Sequence, residues 1–174
     1  QLQFIENKGQ WDSKVNFKAD IQTGAFFLEQ KGFTVVQHNT EDLEKLAALS
    51  HDHLSEASEK TSAKKTAPPI GNFILRSHAY RVSFLNASKG VFTVPDKALS
   101  SYNNYFIGND KSKWKGECKI YQGVTYQNMY PNIDVRYYTD AGSLKYDIIV
   151  RPGGNVNDIA LKYDGADKLE IRNK

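Results

Sequence analysis

Most of this chain consists of short runs in which apolar and polar residues alternate, and each run stops at turn residues. Alternation with a period of two places the apolar side chains on one face of a β-strand. The first runs are VNFKADI (15–21), AFFLE (25–29) and FTVVQ (33–37), separated by the tight turns Thr23-Gly24 and Lys31-Gly32. Two tight turns this close together predict an antiparallel meander.

Further strand-like runs fill the second half of the chain. They are SHAYRVSFL (77–85), VFTV (91–94), the start of SYNNYFIGND (101–110), CKIYQGVTYQNMY (118–130), IDVRYY (133–138), LKYDIIV (144–150), IALKY (159–163) and LEI (169–171). We expect Pro95 to end VFTV. About ten strands without alternating helices are typical of all-β sandwiches and of open antiparallel barrels.

The expected fold is therefore all-β: an antiparallel β-sandwich of about ten short strands in one domain, 1–174. A domain that ended at the LEI run would leave an unpaired sheet edge. We therefore expect the domain to be truncated here and more β structure to follow in the parent protein.

The segment 38–72 has a different composition, with few β-branched residues and no aromatic ones. Thr40, followed by Glu41 and Asp42, predicts a helix N-cap with acidic residues in the first turn. The stretch 55–69 is rich in Ser, Lys, Glu, Thr, Ala and Pro and cannot bury much apolar area. We expect an insertion within the sandwich that holds one short helix and then a mobile loop.

Charge and hydropathy narrow the classes of partner. The net charge is +3 with a pI of about 8.8, and the basic residues are spread along the chain, which argues against a nucleic-acid partner. No apolar run approaches the roughly 20 residues of a membrane-spanning helix, so we expect no transmembrane segment. The single cysteine, Cys118, excludes an internal disulfide and a zinc site built from cysteines. We expect it to be structural.

Recognised catalytic motifs are absent: the sequence contains no Gly-x-Ser-x-Gly, Walker loop or His-Glu-x-x-His. His51 and His53 have a spacing that could chelate a metal, but their place in the insertion favours a solvated loop. Asn109, Asp110 and Ser112 offer oxygen atoms to calcium, yet turn chemistry explains them better. We therefore expect no metal site, no cofactor and no catalytic residues.

Carboxylates leave one enzymatic alternative open. Those in or beside aromatic-rich strands and turns are Glu6, Asp12, Asp134, Asp147 and Asp164. A glycosidase needs two carboxyl groups roughly 5–9.5 Å apart across a cleft, and Asp134 and Asp147 lie on neighbouring predicted strands. The alternative function is therefore a carbohydrate-active hydrolase that uses this pair.

Tyrosines concentrate in the second half of the chain, and a tyrosine combines rigid apolar area with a polar tip that suits sugar stacking and protein interfaces. The candidate contact residues are Tyr102, Tyr105, Tyr121, Tyr126 and Tyr130. The competing interpretation, which we favour, is that much of this set lines the interior of the two sheets.

The chain opens on FIENKGQW (4–11), with large apolar residues on both sides of a turn sequence. Asn7-Lys8-Gly9 is turn chemistry, and Gly9 is free to adopt positive φ. We predict an N-terminal clasp, in which Phe4 and Trp11 both pack into the sandwich and residues 3–6 pair as a strand.

Six stretches in this order resemble one family: FIENKGQW (4–11), YRVSFL (80–85), NNYFIGNDKSKW (103–114), GVTYQNMYPNIDVRYY (123–138), LKYDIIVRPG (144–153) and IALKYDGADKL (159–169). It is the uncharacterised N-terminal domain of large secreted proteins of Bacteroidota and related bacteria. The resemblance covers nearly the whole chain except 38–72. The signature residues, which we expect to be structural, are Phe4, Asn7, Gly9, Trp11, Asn104, Phe106, Gly108, Trp114, Asp134, Tyr146 and Asp147.

The resemblance implies a place in a larger, exported polypeptide. In this family the domain follows a signal peptide, and β-propeller-type repeats and immunoglobulin-like or PKD-like modules often come next. A gliding-motility-associated sorting domain often ends the protein. This implies export by the type IX secretion system to the extracellular or outer-membrane surface, and a domain that continues past Lys174. The start at Gln1 fits signal-peptide removal and fits a trimmed fragment equally well.

These features favour a non-enzymatic secreted module of a larger adhesin-like protein at the cell surface. Its expected partners are the other domains of the same polypeptide and an extracellular glycan or surface protein. An equally expected role is that of a structural cap for the modules behind it. A third alternative is a subunit that assembles by strand addition at an open sheet edge.

Overall fold

The computed structural model describes residues 3–55, 73–140 and 143–170. Within them the strands and the helix are β1 (Phe4–Glu6), β2 (Val15–Ile21), β3 (Gly24–Glu29), β4 (Gly32–His38), α1 (Thr40–Ser55), β5 (Ser77–Phe84), β6 (Phe92–Tyr105), β7 (Lys115–Tyr130), β8 (Ile133–Asp140), β9 (Ser143–Val150) and β10 (Leu161–Asp164). Most of the predicted mobile loop, residues 56–72, lies outside the described residues.

These strands belong to one antiparallel sheet that branches at its longest strand, β7. β6 pairs along one edge of β7. β1 and β8 share the opposite edge of β7, one after the other. Tyr121 pairs with Phe4 of β1 on this edge and with Ala98 of β6 on the other edge. Val124 pairs with Tyr137 of β8 on this edge and with Pro95 of β6 on the other edge. From there one branch runs β1-β2-β3-β4-β5-β10, and the other runs β8-β9.

The sheet curls until its two branches pack against each other. Phe26 and Phe33 on the first branch contact Tyr137 on β8, with ring centroids 5.9 and 6.0 Å apart. Phe33 also contacts Tyr146 on β9 at 6.0 Å. The predicted all-β class with one helix is confirmed. The strands form a curled, open half-barrel that is not clearly divided into the two layers of a sandwich.

The largest differences from the predicted strands lie at β6 and at the last predicted run, while the other strand boundaries shift by at most three residues. β6 continues through Pro95, because it pairs only with β7 and the missing N–H of a proline costs nothing on an open edge. At the other end, Leu169 and Glu170 of the predicted LEI strand are not in a strand. Residue 171 lies outside the described residues, and within them no strand pairs with this segment.

Helix α1 is capped by Asn39, one residue before the predicted cap, Thr40. Asn39 Oδ1 accepts a hydrogen bond from the backbone N–H of Asp42 at 3.1 Å. Asp42 itself is buried, with 4% of its surface exposed. Its carboxylate accepts hydrogen bonds from Arg76, through the backbone N–H at 3.0 Å, Nε at 2.9 Å and Nη2 at 2.8 Å. The start of the helix is thus tied to the segment that leads into β5.

The hydrogen bonds between Asp42 and Arg76 should stabilise the fold less at low pH than at neutral pH. The hydrogen bonds from the Arg76 side chain and backbone lower the pKa of Asp42 from 3.8 to about 2. Because the folded-state pKa is the lower one, the contribution is complete above pH 3.8 and is lost as the pH falls through about 2. Asp42→Asn should therefore be less stable than the wild type near neutral pH, and the difference should shrink on acidification.

Chemical unfolding measured at several pH values for both proteins tests this expectation. Glu41→Gln is the matched control, since Glu41 is exposed and lies 3.8 Å from the same guanidinium. A stability difference for Asp42→Asn that stays constant down to pH 2 would contradict the assignment.

Candidate functional site

An open cleft lies where the N-terminal turn, the start of β2 and the β3–β4 turn meet the first residues of β6. This main cleft has a cavity volume of about 710 Å³. Polar side chains predominate in its lining, among them Ser13, Asn16, Gln30 and Thr93, and the ring of Phe92 also contributes. Phe92 is 48% exposed, so an aromatic surface stands beside several hydrogen-bonding groups.

Local irregularity in β2 creates the polar part of the main cleft. The pairing of β2 with β3 shifts register between Val15 and Phe17, so Asn16 lies in a bulge. Its Nδ2 donates to Tyr126 Oη at 3.4 Å, and Gln30 Nε2 donates to the carbonyl oxygen of Val91 at 3.3 Å. The amide oxygens of Asn16 and Gln30 accept no hydrogen bond from the described part of the chain. They can therefore accept one from a ligand.

A second cleft of about 480 Å³ adjoins the first and shares Ser13, Asn16 and Gln30 with it. Its lining is charged, and Arg81 Nη2 lies 3.2 Å from Glu29 Oε1. The two clefts together form a continuous polar surface, which sequence reasoning did not find, because none of these residues belongs to a recognised motif.

The turn in the opening stretch forms one wall of the main cleft. Asn7 Oδ1 accepts hydrogen bonds from the backbone N–H groups of Gly9 at 2.9 Å and Trp11 at 3.2 Å. Its Nδ2 donates to the carbonyl oxygens of Asp12 at 2.9 Å and Val15 at 2.7 Å. Gly9 adopts φ +109°, a conformation that favours glycine. Asn7 thus holds the turn together through its side-chain hydrogen bonds, and Gly9 provides the positive φ that the turn requires.

The predicted clasp is confirmed for Phe4, which is fully buried, and for the strand, which spans Phe4–Glu6. Trp11 is only half-buried. It packs edge-to-face on Tyr105, with ring centroids 5.2 Å apart, in a second small cluster around Cys118. The clasp therefore depends on strand β1 and on Phe4, while Trp11 packs at the turn end of the β6–β7 ribbon.

The turn between β6 and β7 exposes apolar side chains, and we call residues 102–115 the aromatic tip. Phe106 is 59% exposed and Ile107 is 77% exposed. The ring of Trp114 lies 5.6 Å from that of Phe106, and its Nε1 donates to the carbonyl oxygen of Gly108 at 3.1 Å. Lys111 Nζ stands 5.7 Å from the Trp114 ring centroid.

Turn chemistry explains Asp110 and Ser112, two of the three candidate calcium ligands in this tip. Asp110 Oδ1 accepts hydrogen bonds from Ser112 N at 3.1 Å and from Ser112 Oγ at 2.6 Å. These bonds lower the pKa of Asp110. Asn104 Oδ1 accepts from the backbone N–H of Glu117 at 2.8 Å and so holds the base of the tip together.

The five candidate contact tyrosines lie in different environments. Tyr102 is 54% exposed, in the aromatic tip. Tyr105 and Tyr121 are half-buried. Tyr126 and Tyr130 are fully enclosed by the core, with 0% and 2% exposure, and burial raises the pKa of Tyr126. The side chains of these last two cannot reach a partner at the surface, because their strand faces point into the curl.

Asp134 and Asp147 lie diagonally on one face of the β8–β9 pair. Asp134, however, is only 2% exposed. Its carboxylate accepts hydrogen bonds from the backbone N–H of Asn128 at 3.0 Å and from the side chain of Arg151. Asp147 is exposed and accepts from Tyr138 Oη at 3.3 Å. Because structural donors already occupy Asp134, this geometry does not favour a hydrolytic pair.

Other reactive groups contribute little to a site. Cys118 is fully buried, and burial raises the pKa of its thiol. Within residues 3–55, 73–140 and 143–170, no three or more His, Cys, Asp or Glu side chains are placed to hold a metal ion. The backbone of His51 and His53 belongs to α1, and their side chains lie outside what the structure describes. The described helix is too short and too polar to span a membrane.

Comparison with known proteins gives a family without an assigned activity. No curated protein matched the chain, and no solved structure matched it. A family described as a domain of unknown function, DUF7948, matches residues 4–174. That match begins at Phe4 and so includes the opening stretch, the main cleft and the aromatic tip. On the strength of a match over nearly its whole length, the chain belongs to the DUF7948 family.

Proposed function

We propose that this domain is a non-enzymatic binding module that holds an extracellular glycan in the main cleft. The supporting observation is a concave surface that combines an exposed ring, Phe92, with amide and hydroxyl groups. Binding sites commonly pair such an aromatic surface with a few polar groups that fix orientation. Gln30 supplies an amide oxygen that a sugar hydroxyl can use, and Phe92 supplies a face for the C–H groups of a sugar ring.

The charge of the neighbouring second cleft refines this proposal. Glu29 is paired with Arg81 and also accepts a hydrogen bond from Thr34 Oγ1 at 2.8 Å. Lys31 Nζ donates to the carbonyl oxygen of Ala87 at 3.1 Å. The second cleft thus carries Lys14, Lys31 and Arg81 against Glu29, a net charge of three minus one, or +2. Within the described part of the chain, only Arg81 is neutralised by an ion pair there, so a saccharide with a weak negative charge suits the site at least as well as a neutral one.

Phe92→Ser is expected to weaken glycan binding about tenfold, the equivalent of about 1.4 kcal/mol of lost contact. Gln30→Ala alone should also weaken glycan binding, because it removes the amide oxygen that a sugar hydroxyl can use. The measurement is titration with saccharides first selected on a glycan array, using the wild-type protein as the probe. Val156→Ser is the matched control, because Val156 is a 60% exposed apolar residue that lines neither cleft.

Thermal unfolding of each variant separates loss of binding from loss of folding. If the folded Phe92→Ser and Gln30→Ala proteins bind the selected saccharide as the wild type does, the cleft is not its site. If the wild-type protein binds no saccharide but captures a surface protein through the cleft, the partner is a protein and the glycan proposal fails.

We further propose that the module belongs to a larger adhesin-like protein exported by the type IX system and displayed on the outer surface. The resemblance of the six ordered stretches supports this. Protease shaving of intact cells, followed by detection of the domain, tests the location. Wild-type adhesion and gliding after deletion of the domain would remove the adhesive role and leave that of a structural cap.

Assembly by strand addition is a second candidate, favoured by the free sheet edges. In the described residues, β9 and β10 each pair on one side only, as does β6. Such edges can accept a further strand. Size-exclusion chromatography with light scattering tests this, and a monomer at all concentrations would count against it.

A further inference from the structure

The aromatic tip differs from the two clefts, because none of its residues lines either of them and its apex is apolar. Ile107 has the largest exposed fraction, 77%, among the large apolar side chains that the structure describes as exposed, and its neighbour Phe106 is 59% exposed. Burying such side chains away from water is favourable. An apolar apex kept in water at this degree of exposure points to an interaction surface.

Basic residues follow this apex in the chain, and of these Lys111 and Lys113 are exposed while Lys115 is half-buried. Residues 102–115 contain three lysines, Lys111, Lys113 and Lys115, against one carboxylate, Asp110, for a net charge of three minus one, or +2. Asp110 accepts hydrogen bonds from Ser112, and its Oδ2 lies 3.9 Å from Lys113 Nζ, but the Lys113 and Asp110 side chains stay 77% and 56% exposed. A surface that complements these lysines in charge is therefore negatively charged.

Two polar groups of the tip are already used within it. The indole N–H of Trp114 donates to Gly108, and Lys115 Nζ donates to the carbonyl oxygen of Ser112 at 3.0 Å. The exposed side chains of the tip include the apolar Phe106 and Ile107 and the lysines Lys111 and Lys113. This combination matches the interface of a bilayer, where apolar side chains enter between headgroups and lysines meet anionic lipids.

We propose that the aromatic tip docks on an anionic lipid surface. The tip is preformed for this contact, since Asn104 bridges its two strands and the Trp11–Tyr105 pair braces its base. Little conformational entropy is then lost on docking. The proposal goes beyond glycan binding and uses a different surface, so the domain can hold a saccharide in the main cleft while the tip contacts the membrane.

Co-sedimentation with vesicles tests the proposal. The wild-type protein should bind vesicles of phosphatidylcholine that contain phosphatidylglycerol, bind vesicles of phosphatidylcholine alone much less, and dissociate as salt is raised. Ile107→Ser and Lys113→Glu should each weaken binding about tenfold. The matched controls are Val156→Ser and Lys89→Glu, which make the same kinds of change at exposed positions outside the tip. They should bind like the wild type.

Fluorescence shows whether the apex enters the bilayer. In a Trp11→Phe background, emission from Trp114 should shift to shorter wavelength when anionic vesicles are added. Should Trp11→Phe prove unstable, quenching by lipids with brominated chains provides the same information in the wild-type protein.

The proposal is overturned if the wild-type protein does not bind anionic vesicles, if the tip and control variants lose equal affinity, or if the Phe92→Ser variant no longer binds vesicles. Preferential binding to a soluble acidic polysaccharide, with no emission shift on vesicles, would assign the tip to a polyanion instead. Thermal unfolding confirms that each variant is folded. Because the cleft variants should retain vesicle binding, failure here is distinct from failure of the glycan proposal.

Discussion

Replacing Phe4 with alanine is expected to lower the free energy of unfolding by about 3–5 kcal/mol, the usual cost of removing a buried phenyl ring from a core. Phe4 is fully buried and pairs with Tyr121 on β7. β1 is only three residues long, yet it joins β2 to β7 and so connects the long branch of the sheet to the central ribbon. Losing the ring loosens both the core and this connection.

Urea unfolding, followed by circular dichroism, measures the change through the transition midpoint. Phe106→Ala is the matched control: it removes the same ring where it is 59% exposed, and should cost less than about 1 kcal/mol. Phe4→Leu keeps most of the volume and should cost less than about 1.5 kcal/mol, which keeps the test informative if Phe4→Ala does not fold. Equal midpoints for Phe4→Ala and Phe106→Ala would show that β1 is not an anchor.

The sequence predicted the strands wherever burial is one-sided. Phe17 and Ala19 on β2 are buried while Asp20 is exposed, so their alternation directly reflects the face that meets the core. The turns at Gly24 and Gly32 were also predicted from the sequence. Added Cβ atoms there would lie 1.9 and 2.1 Å from backbone oxygens of the neighbouring strands, which explains why glycine is needed.

Branching of the sheet could not be predicted in the same way. It depends on which strands share an edge of β7, and the pairing of Phe4 with Tyr121 joins residues far apart in the chain. The course of β6 through Pro95 was missed for a related reason. A proline ends a strand only if its N–H position faces a partner, and local sequence does not reveal that this side is open.

The functional surfaces were only partly visible in the sequence. The aromatic tip overlaps the family signature, but residue types alone did not show that Phe106 would be exposed while Tyr126 would be enclosed. The main cleft was missed because Asn16 occupies an ordinary polar position in an alternating run. Its role follows from a register shift, which is a property of the pair β2–β3 and not of either strand alone.

Replacing Asp134 with alanine is the second large expected loss, about 2–3 kcal/mol. The carboxylate is buried and holds two elements together: the backbone N–H of Asn128 in β7, and the side chain of Arg151, just after β9. Asn128 adopts φ +56° where the β7–β8 register shifts, so its N–H finds no regular ladder partner. Without Asp134 this donor is left unsatisfied.

The cost stays below that of breaking a fully buried ion pair, because Arg151 is half exposed and water can solvate its charge. Asp134→Asn should fall between alanine and wild type, since its amide oxygen can still accept from Asn128 while the charge opposite Arg151 is gone. Asp147→Ala is the control and should cost less than about 1 kcal/mol, as expected for an exposed carboxylate. Equal losses at the two positions in urea unfolding would contradict this assignment. If saccharide hydrolysis by the wild type disappeared in both folded variants, the pair would be catalytic after all.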